Sequence, residues 1–518
     1  MKVIIVGAGR VGESVAENFL SEDNEITIID SNIERLRDLE ERFDLRGVHG
    51  NAADIETLKE AGAENAEMLF SCASTEETNL VVCKLAQILF NIPTRIARVQ
   101  ASHLDHRELL QAKDGFAIDA LICPEESLSQ YINKLVEYPQ ALQVRNFAND
   151  LACLVSVRAR PGSPFVRRSI SEIRQIAPAM PMRIVAIYRR LWDGPDQLML
   201  TDANTRIEPD DQVFVLAAKE FLPAILDGFH QLPNSIFQTE EDFSTQLNNY
   251  NDPSHVHAQR IIIAGGGRVG ERLAMQLSNS AVDHNIKIIE KDHDRCIALA
   301  SKLSESTLVL HGNATDEELL ESENVSRSDL FISLTHDDES NIFSALLAKR
   351  LGARRVIALI NRRSYAELMH NTQIDIALSP AQTMLGELLT YVRQGEVRAV
   401  HSLRRGLAEA LEIVARGTHK TSHVVDRSIA DLDLPAGVKV GLIIRGLSHD
   451  EIPSDTNKPS TEPDAVTSSL APDESPVQVI VATANTVIQS NDHIILFLPS
   501  KRLIRDVEKL FKVAPTFF

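Results

Sequence analysis

Short apolar runs alternate with longer amphipathic stretches over the first quarter of the chain, and the alternation resumes just past its midpoint. The runs at 2–6, 25–29, 46–49, 68–72 and 95–99 are apolar at successive positions, as strands buried on both faces are, and helical periodicity fills the gaps between them. Residues 260–264, 286–289, 307–310, 330–334 and 355–360 carry the same runs. Twice over, this predicts a parallel sheet covered by helices on both faces. After each block the pattern changes to short strands and turns: LACLVSVRA, SPFVRRSISEI, MRIVAIYRR and DQVFVLAA within 140–228, then LAEALEIVA, SHVVDRSIADL, VKVGLIIRG and DHIILFLP within 395–512.

The two blocks are copies. IIVGAGRVGESVAENFL returns as IIIAGGGRVGERLAMQL, ITIID ending at Asp30 as IKIIE ending at Glu290, HGNAAD as HGNATD, and CASTEETN as SLTHDDESN. The smaller units repeat as well, with RRSISEI answered by DRSIADL and NTRIEPDDQ by NTVIQSNDH. A near-constant offset across so many landmarks marks a domain-scale duplication rather than a short-period solenoid. The expected fold class is α/β: two Rossmann-like parallel-sheet domains, 1–125 and 259–380, each followed by a small α+β domain, 140–228 and 395–512, in the order A-B-A-B. The polar, weakly periodic residues 231–258 suit a linker. Residues 449–476, acidic and rich in proline, bury too little apolar surface to offset ordering entropy and read as a disordered surface insertion.

A length of 518 residues with 44% apolar content supports several packed cores, and a formal charge of -20 argues against a nucleic-acid partner. The five cysteines are scattered, without metal-ligand spacing, and read as core thiols in a reducing compartment. The chain opens directly on a strand, so no secretion signal is expected. Its longest apolar stretches, such as Leu80 to Phe90 with Lys84 inside, fall short of the roughly 20 residues needed to cross a bilayer.

Candidate chemistry concentrates where each first strand meets its helix. Gly7, Gly9 and Gly12, matched by Gly265, Gly267 and Gly270, form a glycine loop after a strand and before a helix. The first glycine permits the tight turn, the second lets a pyrophosphate approach the backbone, and the third lets helix and sheet pack closely. The helix N-terminus offers N–H groups to phosphate. Asp30 and Glu290, each ending the second strand, could accept hydrogen bonds from a ribose diol, and their charge disfavours a 2′-phosphate, so NAD is expected over NADP. ATP or ADP uses the same contacts, and the sequence does not separate them. Asn51 and Ala52, with Asn313 and Ala314, follow the third strand on the adenine side, and Thr75 and Thr335 follow the fourth. For both sets, local turn chemistry is the competing reading. Arg10 and Arg268 could reach phosphate or form surface ion pairs. Arg98 ends the fifth strand, where the second copy has Leu359.

These motifs, in this order, resemble the family of Trk-system potassium uptake regulators, whose halves each hold an RCK (KTN) N-terminal and C-terminal domain. The resemblance covers the chain apart from the linker and the acidic insertion. It implies a non-catalytic, cytoplasmic regulatory subunit, peripheral on the inner face of the membrane, that binds NAD(H) and ATP or ADP. It also implies a homo-oligomeric ring, taken as tetrameric, beneath a membrane potassium transporter subunit of TrkH/TrkG type. Carried onto this chain, Gly7, Gly9, Arg10, Val11 and Gly12 match the phosphate loop, Asp30 the ribose acid, Asn51 and Ala52 the adenine side, and Thr75 and Arg98 the distal phosphate side. Gly265, Gly267, Arg268, Val269, Gly270, Glu290, Asn313, Ala314 and Thr335 match the same roles in the second half. Helices around His103 to Leu110 and Tyr365 to Met369 are candidate self-association faces, although packed core helices explain them as well. The alternative is a soluble NAD-dependent oxidoreductase, which needs a positioned proton donor in the small domains. No such group is repeated there, and His423 stands in the place of Pro164.

Overall fold

The computed structural model describes residues 1–20, 24–100, 106–178, 180–190, 197–230, 258–369, 373–393, 396–403, 407–447 and 477–513. The expected acidic insertion, His103, and all but the last residue of the expected linker lie outside these.

The chain divides into two compact units that do not follow its linear order. One gathers residues 1–134 and 256–392, and the other 135–255 and 393–518, so like copies are grouped with like.

The first unit holds two six-stranded parallel sheets. In the first half these strands are β1 (Lys2–Val6), β2 (Glu25–Asp30), β3 (Arg46–His49), β4 (Met68–Ser71), β5 (Thr94–Arg98) and β6 (Ala120–Ile122), in the order β3-β2-β1-β4-β5-β6. The helices are α1 (Arg10–Leu20), α2 (Ile33–Arg42), α3 (Ile55–Glu60), α4 (Glu76–Phe90), α5 (Arg107–Gln111) and α6 (Pro124–Glu137). Near-continuous burial of β1 and β4 is what a central strand covered on both faces requires. The three-residue β6 was not expected from the sequence. In α5, Leu110 is buried while Leu109 is 59% exposed.

The small domains form the other unit as two five-stranded antiparallel sheets. The first comprises β7 (Ala141–Phe147), β8 (Ala152–Arg158), β9 (Met182–Arg189), β10 (Gln197–Leu200) and β11 (Gln212–Ala218), ordered β10-β9-β11-β8-β7. The expected strand-and-turn segment SPFVRRSISEI instead ends in helix α7 (Ile170–Ile176), started by a capping box in which Ser169 and Glu172 satisfy each other's backbone N–H groups. Helix α8 (Leu222–His230) follows β11.

The second half repeats the first. Its Rossmann sheet runs β14-β13-β12-β15-β16-β17 through β12 (Arg260–Ala264), β13 (Asn285–Glu290), β14 (Thr307–His311), β15 (Leu330–Ser333), β16 (Arg355–Leu359) and β17 (Ile376–Leu378). The helices are α9 (Arg268–Ser278), α10 (His293–Lys302), α11 (Glu317–Ser322), α12 (Asp338–Arg350), α13 (Arg363–Leu368) and α14 (Pro380–Val392). Its small sheet runs β18-β19-β22-β20-β21 through β18 (Val397–Leu403), β19 (Ala408–Val414), β20 (Lys439–Arg445), β21 (Gln478–Val481) and β22 (His493–Leu498), with α15 (Ile504–Phe511) after it. Where the first small domain has α7, the second has a single 3-10 turn, Ile429–Asp431. Asp431 is one methylene shorter than Glu172, and it accepts the Ser428 hydroxyl at 2.6 Å.

The two small sheets share one core: Phe147, Leu154, Phe214 and Leu216 cluster with Leu403, Ala410, Leu442, Ile495 and Phe497. A Cβ at Gly441 would fall 2.1 Å from Leu216, so glycine there permits the close approach. Contacts cross in matched pairs, with Arg183 donating to the Ala482 carbonyl and Lys439 to the Thr201 carbonyl. Each copy also repeats a bidentate pair that the sequence reading missed. Arg189 donates from Nε and Nη2 to buried Asp211 at 2.9 and 2.8 Å, and Arg445 to buried Asp492 at 2.9 and 2.8 Å. These carboxylates raise both guanidinium pKa values.

Candidate functional site

Each parallel sheet carries its glycine loop at the strand-order reversal, between β1 and β4 or between β12 and β15, on the C-terminal edge where open α/β sheets bind ligands. Gly7 sits at φ +104, and a Cβ there would lie 2.9 Å from the Cys72 carbonyl oxygen. A Cβ at Gly12 would lie 1.9 Å from the Gly7 carbonyl oxygen, so helix and loop are in contact. The second copy repeats both constraints, with Gly265 at φ +109 and a Cβ at Gly270 only 2.1 Å from the Gly265 oxygen. The middle glycines differ. A Cβ at Gly9 or at Gly267 meets nothing within 4 Å. Packing within the chain thus accounts for the outer glycines and gives no reason for the middle ones, which border open space.

The acid at the end of the second strand holds the loop. Asp30 accepts the Ala8 N–H on Oδ2 at 2.6 Å and the Asn32 N–H on Oδ1 at 2.8 Å. Glu290 accepts the Gly266 N–H on Oε2 at 2.7 Å, and on Oε1 those of Lys291 and Asp292 at 2.7 and 2.9 Å. The third-strand loop is tied alongside, with Gly50 N–H on the Asp30 carbonyl at 3.1 Å and Gly312 N–H on that of Glu290 at 2.8 Å. Asn51 and Asn313 follow directly. Each accepts the N–H two residues on, Ala53 at 3.0 Å and Thr315 at 3.1 Å, so both asparagines make Asx turns. Ala52 and Ala314 are buried beneath these turns.

The two threonines do not occupy equivalent places, which corrects the expected pairing. Thr75 is the N-cap residue of α4, with its hydroxyl 2.6 Å from that of Thr78. The matching N-cap residue of α12 is Asp337. Thr335 matches Ala73 instead: both donate a backbone N–H to the helix asparagine, Ala73 to Asn79 at 2.7 Å and Thr335 to Asn341 at 2.8 Å. These buried asparagines escaped the sequence reading, although they end the repeated CASTEETN and SLTHDDESN segments. Asn79 also donates to the Arg98 carbonyl at 3.0 Å and Asn341 to that of Leu359 at 2.9 Å, tying the fourth-strand loop to the fifth strand. The bonds also establish Leu359 as the counterpart of Arg98. Buried acids at the first position of the same helices hold the next loop, Glu76 accepting Gln100 N–H at 3.0 Å and Asp338 accepting Asn361 and Arg362 N–H at 3.0 and 2.8 Å.

Arg98 pairs with Glu125 at 3.0 Å. Arg10 and Arg268 are exposed, and no ion pair among the described residues engages either, while Val11 and Val269 are half-buried beside them. Cys72 packs under the first loop with Sγ 3.7 Å from the Gly7 oxygen, and burial pushes its thiol up to about 12, which leaves a neutral packing group. All five cysteines are buried and free. Among the described residues no group of three or more His, Cys, Asp and Glu side chains is placed to hold a metal ion, and no helix is long and apolar enough to cross a membrane.

Comparison with known proteins agrees with this architecture. Residues 3–124 and 261–380 match the TrkA-N domain, and residues 154–227 match the TrkA-C domain. The Trk system potassium uptake protein TrkA of Halomonas elongata is 40% identical over the full length of both chains, and that of Vibrio alginolyticus is 39% identical over the same span. Among solved structures, the GsuK RCK domain aligns with a TM-score of 0.56 at 16% identity, covering 98% of this chain and 94% of that one. The GsuK channel bound to NAD aligns with a TM-score of 0.55 at 16% identity, covering 98% and 78%. With its tandem glycine loops, paired small domains and end-to-end likeness to these relatives, the chain belongs to the TrkA family of Trk system potassium uptake proteins.

Proposed function

We propose that the chain is a nucleotide-sensing regulatory subunit that gates potassium flux through a membrane transporter subunit of TrkH/TrkG type, with NAD(H) as the ligand of both glycine loops. The observation that carries this is the middle glycine: in both copies the outer two are explained by the fold, while Gly9 and Gly267 border open space with room for a ligand to approach the backbone. NAD ranks first because the fold is shared with a channel solved bound to NAD, and the acid that ends the second strand in both copies disfavours NADP. ATP and ADP are the rival ligands.

In this reading a bound dinucleotide supplies a pyrophosphate and a ribose diol. The first turns of α1 and α9 offer N–H donors to the former, with Arg10, Val11, Arg268 and Val269 at their openings. Asp30 and Glu290, oriented by the loop N–H groups they accept, keep lone pairs for the latter. Asn51, Ala52, Asn313 and Ala314 border the adenine side, and Thr75, Thr335 and Arg98 the distal side. Ligand-dependent movement of these loops would reach the small domains and the transporter, and the coupling free energy is what a partner would sense. A homo-oligomeric ring, peripheral on the inner membrane face, follows the family resemblance, as does the absence of turnover.

Calorimetric titration of the full chain with NADH, NAD, ATP and ADP, recording stoichiometry, tests the reading. Two NADH sites per chain are expected, without consumption of the nucleotide. No binding of any of the four would overturn it.

A further inference from the structure

Within the Rossmann unit each half lends a helix to the other. Helix α14 of the second half packs on α1 of the first, and α6 of the first half is joined to α9 of the second through side chains. The two contacts differ in chemistry. On α6, Glu126 pairs with Arg272 of α9, and Gln276, one turn further along α9, donates to the same carboxylate at 3.4 Å. Gln130 of α6 holds that carboxylate in place with a 2.6 Å hydrogen bond. At the corresponding points of the other contact stand Ser14, two residues after Gly12, and Gln382, two residues after Pro380, so that pair of positions is uncharged.

Arg272 lies two residues past Gly270, the last glycine of the second loop. A Cβ at Gly270 would lie 2.1 Å from the Gly265 carbonyl oxygen, so the helix is packed directly against the loop. We infer that Glu126 is a positioning residue for the second site: through Arg272 it fixes α9 and the loop Gly265 to Gly270, so the first half sets the second site's affinity, a pairing that Ser14 and Gln382 do not repeat at the first. The direction reverses by linkage, since a ligand at the second loop pulls equally on α6. That helix is continuous from Pro124 to Glu137, and the chain leaves the Rossmann unit within it, after Lys134. Nucleotide at the second loop therefore has a covalent route into the first small domain.

The inference rests on the second loop binding nucleotide, and two measurements separate its failure from failure of that reading. In two-site NADH titrations of the full chain, Glu126→Gln and Arg272→Gln should each weaken the second site by about fivefold and spare the first. The charge swap Glu126→Arg with Arg272→Glu should restore it. Unchanged second-site affinity in the single variants, equal weakening of both sites, or a swap that fails to restore would overturn the inference. Without nucleotide, Glu126→Gln should speed amide exchange over residues 266–272 and leave residues 8–14 unchanged. No change at 266–272 would overturn it even if NADH proves not to be the ligand.

Discussion

In the first half Asp30 reaches the glycine loop beside an alanine, Ala8, whereas in the second Glu290 reaches it beside a glycine, Gly266. The exchange is compensated. A Cβ at Gly266 would fall 2.3 Å from Leu299 Cδ1 and 3.2 Å from Glu290 Oε2, so the smaller neighbour leaves room for Leu299 first and for the longer acid second. The second loop is also pinned from outside: Arg295 donates to the Gly266 carbonyl at 2.7 Å and pairs with Glu271, which Lys302 engages at 3.0 Å. In the first half Glu13 pairs with Arg42 at 2.6 Å, but the residue matching Arg295 is Arg35, and it is exposed. The two copies thus keep one loop geometry with different reserves of rigidity, and the second is the more constrained.

The largest effects should come from positions where the copies agree. Gly12→Ala and Gly270→Ala each drive a Cβ into a backbone carbonyl, and each should lower stability by about 2 to 3 kcal/mol in denaturant titration. Gly9→Ala, facing open space, should leave the unfolding midpoint unchanged and weaken NADH, and a drop in stability there would show that the fold does use that glycine. Asp30→Ala should cost NAD affinity roughly 1.5 to 3 kcal/mol by calorimetry, and unchanged affinity would remove Asp30 from the site. Gly266→Ala should destabilise by about 1 to 2 kcal/mol and be relieved in part by Glu290→Asp, which shortens the crowding side chain. Arg295→Ala should cost about 1 kcal/mol in the same titration, against nothing measurable for Arg35→Ala.

The smallest effect distinguishes Arg183 from its counterpart Lys439. Burial, then the nearby Arg183, pushes the Lys439 ammonium from 10.5 down to about 8. Between these values the unfolded chain holds more protons than the folded one, so this group makes stability rise with pH across that window, and its penalty is complete below the lower value. Lys439→Met should therefore raise the melting temperature at pH 7 by about 2 °C, with the advantage gone above pH 10.5.

The parallel sheets were legible because buried strands and amphipathic helices impose distinct periods on the sequence. The third-strand motifs and glycine loops were legible because backbone geometry restricts residue type there. Strands β6 and β17, three residues each, are too short to show a period. β7 and β18 were hidden for another reason: register shifts at Ala141/Gln143 and at Val397/Ala399 break the alternation that marks a strand. Thr75 and Thr335 were mispaired because residue type was matched without counting to the shared asparagine. Thr75 stands four residues before Asn79, and Thr335 six before Asn341. The grouping of Rossmann copies with each other, and of small domains with each other, left no trace in local pattern, because it depends on contacts between residues some 260 positions apart, such as Ala148 N–H on Glu412 at 2.8 Å.

That shared core between the small domains has an evolutionary consequence. In a symmetric homodimer every substitution appears on both sides of the axis, so no change can favour one site without altering the other. Here the two sides are encoded separately. Glycine can replace alanine beside one acid only, an arginine can be lost from one fifth strand only, and a glutamate can be placed against one helix only. Joining the partners into a single polypeptide lets a formerly twofold object acquire an inside and an outside, a donor half and a recipient half, while the buried interface keeps them from parting.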